Sequence, residues 1–77
     1  MSLSHTLSTL RTQIAAAERR ATDRAAAVTA RLRAGEESGE AERALFAELD
    51  GLALLRQRLC AVEGMQRAAQ SDLLAAA

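Results

Sequence analysis

Four groups of residues in this chain carry side chains with chemical potential. Cys60 is the only thiol and His5 the only imidazole. A nucleophilic cysteine needs a base at hydrogen-bonding distance and an electropositive setting. His5 is far away in the sequence, in a weakly helical N-terminal stretch. Cys60 therefore reads as a small hydrophobe and His5 as a solvent-exposed side chain. Glu36, Glu37, Glu40 and Glu42 gather carboxylates in the middle of the chain. They lack the Asp/Asn-rich spacing and central glycine of a calcium loop, so they read as a solvated acidic turn. Arg19 and Arg20 could grip phosphate, but no glycine-rich phosphate loop accompanies them. One cysteine and one histidine cannot build a four-ligand zinc site. The expectation is a non-enzymatic protein without metal, cofactor or small-molecule substrate.

The elements that carry these residues follow from composition. Among 77 residues there are 19 alanines and 12 leucines, with no proline, tryptophan or tyrosine. Alanine, leucine, arginine and glutamate favour helix, and β-branched and aromatic residues are scarce. The chain is expected to be all-α. Ten Lys/Arg residues, all of them arginine, balance ten Asp/Glu. Zero net charge disfavours a nucleic-acid partner, which selects a basic face. No apolar run approaches the ~20 residues of a membrane span. The opening MSLSHTLSTLR has no secretory-leader pattern, so a cytoplasmic location is expected.

Apolar residues recur three or four apart in both halves. Leu7, Leu10, Ile14, Ala17, Ala21, Ala25, Val28 and Leu32 form one narrow seam, on a helix of about residues 4–34 with Ser4 as N-cap. Leu45, Leu49, Leu52, Leu55, Leu59, Val62, Met65, Ala69 and Leu73 form another, on a helix of about 40–74. Its drift matches a repeat near 3.5. Between them, RAGEESGE holds Gly35 and Gly39. Gly35 suits the left-handed position that closes a helix, and Ser38 or Gly39 would cap the next one. The turn is placed at about 35–39. Gly51 and Gly64 are read as lying inside a continuous second helix.

The result is an antiparallel, coiled-coil-like two-helix hairpin. Reversal near residue 37 sets Val28 against Leu45, Ala25 against Leu49, Ala21 against Leu52, Ala17 against Leu55 or its neighbour, and Ile14 against Leu59. Small residues then face large ones. Arginines of 19–33 meet acids of 36–50, each surface pair contributing only ~0–1 kcal/mol.

So small a chain rarely stabilises itself without disulfide, metal or partner. The second helix also has apolar residues beyond its seam, notably Phe46, Leu54 and Cys60. A protein partner is therefore expected, either a different protein or a second copy completing a four-helix bundle. The expected protein-binding residues are Phe46, Leu49, Leu52, Leu54 and Cys60.

The stretch LRAGEESGEAERALFAELDGLALL, Leu32 to Leu55, resembles the small helical-hairpin co-chaperones of type III secretion needle subunits. It shares a first helix ending in a basic residue and glycine, an acid-led second helix and a leucine/alanine seam. The resemblance implies a hairpin that binds a larger helical-repeat chaperone and helps hold an aggregation-prone export substrate. It implies contact or seam roles for Phe46, Leu49 and Leu52, and no catalytic residue.

Overall fold

The computed structural model describes residues 2–76. The described residues form two helices, α1 (Leu3–Arg33) and α2 (Gly39–Ala76). They pack antiparallel into a rod of 65 × 17 × 15 Å. At 1.5 Å per residue, α2 alone accounts for about 57 Å of that length.

The N-cap of α1 lies two residues before the expected one. Ser2 has extended backbone, and its hydroxyl oxygen accepts the His5 N–H at 3.2 Å. That satisfies one of the orphan donors of the first turn. Ser4 lies inside the helix. The weak formers here are held because Leu7 and Leu10 are buried.

α1 ends as its glycine requires. Gly35 has φ 69°. Its N–H donates to the Leu32 carbonyl at 3.2 Å, and the Glu36 N–H donates to the Arg31 carbonyl at 2.9 Å. This pair of bonds is the Schellman closure, which satisfies carbonyls the helix would leave open. Ser38 then precedes α2. Its carbonyl accepts the Glu42 N–H at 2.8 Å and its hydroxyl donates to the Glu42 carboxylate at 3.0 Å. The Gly39 N–H donates to Glu37 Oε1 at 3.1 Å. Glu40 and Glu42 sit in the first turn of α2, where the helix dipole favours negative charge. Gly39 is thus the first helical residue rather than part of the turn. Gly51 and Gly64 interrupt nothing.

The packing seam keeps most of the expected positions and departs from them at a few. On α1, Leu7, Leu10, Ile14, Ala17 and Ala21 are buried and Val28 is half-buried, but Ala25 and Leu32 are exposed. Beside the flanking Glu42, Ala44, Glu63 and Gly64, which are also half-buried, α2 covers Ala41, Leu45, Glu48, Leu52, Leu55, Leu59, Val62 and Gln66. These alternate strictly by four and three residues, the spacing that keeps one face on a partner helix. That alternation selects Glu48 over Leu49 and Gln66 over Met65. Leu49, Met65, Ala69 and Leu73 are consequently exposed.

The register is the expected one, with reversal near residue 37: Arg11 pairs with Glu63 and Glu18 with Arg56, and Ile14 and Ala17 share a cluster with Leu55 and Leu59. Leu52 belongs to the same cluster. Burial is concentrated away from the turn, between residues 7–21 of α1 and the middle of α2. Among the described residues, three ion pairs cross the interface: Arg11–Glu63 at 3.5 Å, Arg20–Glu48 at 3.0 Å and Glu18–Arg56 at 3.8 Å. Among the described residues, only Arg20–Glu48 joins the two expected charge blocks. The other pairs lie nearer the open end.

Candidate protein-binding surface

The five expected binding residues separate into three environments. Leu52 is 4% exposed and belongs to the hairpin core. It supports the helix pairing and offers nothing to a second protein. Phe46 and Leu49 are 58% and 42% exposed, and Leu54 is 53% exposed. Cys60 is exposed as well.

Leu49 belongs to an edge defined by the ion pairs, and Phe46, three residues before it, flanks that edge on the outer side of α2. From Arg11–Glu63 to Glu18–Arg56 the edge advances seven residues on α1 and retreats seven on α2. The next step in the same register places Ala25 beside Leu49. One step further places Leu32 beside Glu42, one turn before Phe46 on α2. Along this edge, ion pairs toward the open end therefore give way to apolar side chains toward the turn. Leu32 is 60% exposed. Sequence reasoning assigned it to the hairpin seam. Its spacing of four from Val28 is helical, but it continues the ion-pair edge, seven residues at a time from Glu18 through Ala25.

Leu54 and Cys60 lie on the outer surface of α2 that Phe46 borders, Cys60 being fourteen residues from Phe46 on the same line of the helix. At about 100° per residue both lie within roughly 60° of the line opposite the α2 seam. They face away from α1.

Polar chemistry is sparse around both surfaces. His5 is exposed on α1, and no three His, Cys, Asp or Glu side chains among the described residues could hold a metal ion. The opposite edge near the turn has a shallow groove of about 240 Å³, lined by Arg24, Ala27, Arg31, Glu40, Ala41 and Ala44. Its alternating charges over an alanine floor make it a solvated cleft between the helices. Among the described residues, no helix is long and apolar enough to cross a membrane.

What the edge can do is bury area. Phe46, Leu49 and Leu32 are large apolar side chains left exposed in the turn-proximal part of the hairpin. Fully burying each contributes roughly 1.5–3 kcal/mol. The arrangement suits a hydrophobic contact with another helix, with the ion pairs of the same edge forming a polar margin. No protein-family model matches the chain, and no curated protein or solved structure is significantly similar to it.

Proposed function

We propose that this hairpin is a non-enzymatic protein-binding module whose turn-proximal edge receives an apolar helix of a different protein. The observation that carries the reading is the joint exposure of Leu32, Phe46 and Leu49 in the turn-proximal part of the hairpin. A lone exposed leucine is ordinary on a protein surface, whereas large apolar groups gathered in one region mark interaction sites. The thin packing near the turn supports the same reading. Past Ala21, α1 contributes only the half-buried Val28 to the seam. A partner helix laid along this edge supplies the apolar cover that the hairpin itself lacks there.

The resemblance of Leu32–Leu55 to type III secretion co-chaperones gives the partner a concrete form. It is a larger helical-repeat chaperone, and the complex holds an export substrate that would otherwise aggregate. The hairpin outline and the acid-led second helix support this reading.

The test is capture from native cells followed by binding measurements on the purified pair. Phe46→Asp and Leu49→Asp are expected to weaken binding at least about tenfold each, the scale of a lost interface anchor. Because both side chains are exposed, the free variants keep their helicity. Unchanged affinity in both variants overturns the assignment of this edge. Capture of a partner unrelated to helical-repeat chaperones overturns only the secretion reading.

A further inference from the structure

The α1 seam changes character halfway along. Leu7, Leu10, Ile14, Ala17 and Ala21 are buried and alternate by three and four residues. The same alternation continues through position 24, Val28 and position 31, and positions 24 and 31 are arginines. The structure keeps them in that phase: Arg24 and Arg31 line the groove between the helices together with Ala41 and Ala44 of α2. Where Leu10 and Ala17 close the contact in the first half, the second half has two exposed arginines beside alanines. Neither arginine enters an ion pair among the described residues. A guanidinium without a partner is not buried, so each keeps its charge in water and leaves the seam unfilled.

The facing stretch of α2 does not make up the loss. Of its seam positions 41, 45 and 48, only Leu45 is large and apolar, and it is half-buried. Glu48 engages Arg20 rather than the two seam arginines. Two closures bound this section. On one side lies the core of Ile14, Ala17 and Leu52. On the other, the turn is tied by bonds from the Gly35 N–H to the Leu32 carbonyl, from the Glu36 N–H to the Arg31 carbonyl and from the Ser38 hydroxyl to Glu42. Those bonds fix the reversal of the chain but do not join one helix to the other. Alanine and arginine favour helix, yet a helical segment this short is marginal in water without packing.

We infer that the section formed by residues 24–33 and 39–48 opens as a unit while the rest of the hairpin stays paired, because Arg24 and Arg31 hold seam positions that apolar side chains would close. Each opening uncovers Val28 and Leu45 beside the exposed Leu32 and Leu49. The apolar surface at this end therefore grows when the helices part. The opening is a property of the free chain and stands or falls independently of the proposed partner.

Amide hydrogen exchange of the free chain tests it, read residue by residue by NMR and corrected for intrinsic chemical rates. Amides of residues 24–30 and 43–48 are expected to exchange at least about tenfold faster than those of 14–21 and 52–59. Leu59→Ala, in the packed half, speeds the second set and leaves the first within about threefold, because the section opens with that half intact. Arg24→Leu/Arg31→Leu slows exchange in the section at least about tenfold on both helices. Leucine and arginine have similar helix propensity, so slowing on α2 reports packing across the groove. Arg19→Leu/Arg33→Leu makes the same replacement on the outer side of α1 and leaves the section within about threefold. A uniform rate over both sets, a Leu59→Ala variant that speeds both equally, or an Arg24→Leu/Arg31→Leu variant no slower than Arg19→Leu/Arg33→Leu overturns the inference.

Discussion

At the scale of single residues, the structure makes sharp distinctions between neighbours in the sequence. Leu52 and Leu54 are two apart, yet one is in the core and the other in solvent. Leu52→Ala is expected to destabilise the hairpin by about 2–4 kcal/mol through lost burial and a residual cavity. Leu54→Ala should stay within about 0.5 kcal/mol in the monomer. Urea titrations of dilute protein compare the two directly, and equal effects would contradict the assigned seam. Gly35 makes a second distinction. A Cβ there meets nothing within 4 Å, so its replacement is opposed only by the left-handed backbone at φ 69°. Gly35→Ala is expected to cost about 1–2 kcal/mol, visible as a lower melting temperature. An unchanged melt would mean that the α1 closure has another conformation.

At the scale of elements, helix α2 is continuous although it contains two interior glycines. A Cβ at Gly51 also meets nothing within 4 Å, and this glycine is helical with ordinary φ. Gly51→Ala is therefore expected to raise stability by about 1 kcal/mol. A fall in melting temperature would show that the Asp50–Gly51 step needs glycine. The end of α2 makes a further prediction. From Arg67 onward every described residue is exposed, Leu73 and Leu74 at 72% and 78%. Truncation after Gln70 should leave the urea midpoint of the monomer nearly unchanged.

How much of this was legible in the sequence follows the same division. The two helices and the Gly35 closure could be read because composition, spacing and one glycine agreed. The choice of Glu48 over Leu49 in the α2 seam could not. Leu49 follows Leu45 by four residues and Glu48 follows it by three, and both steps are helical. Hydrophobicity favours Leu49, whereas the strict alternation through Ala41, Leu45, Leu52 and Leu55 requires position 48. Pairing geometry won, and Arg20 met the Glu48 carboxylate at 3.0 Å. The same one-residue choice hid Leu32 from the candidate surface, because it was counted as seam. Ser2 escaped notice because its capping role depends on backbone geometry that Ser4 lacks.

At the scale of the whole molecule, the hairpin is a 65 Å rod in which the best packing lies toward the open end and the thinnest toward the turn. That gradient places the exposed Leu32, Phe46 and Leu49 where the helices hold each other least. It links the fold to the proposed binding role: the end that most needs cover is the end that displays apolar side chains. Everything rests on the two helices running antiparallel in the register that joins Arg20 to Glu48. Pulsed electron resonance between spin labels at these two positions measures that most directly. The hairpin predicts a separation below about 20 Å, allowing for label length and adjacent helix axes 8–10 Å apart. A single uninterrupted helix would hold the labels about 42 Å apart, and a distribution centred there would contradict both the fold and the surface derived from it.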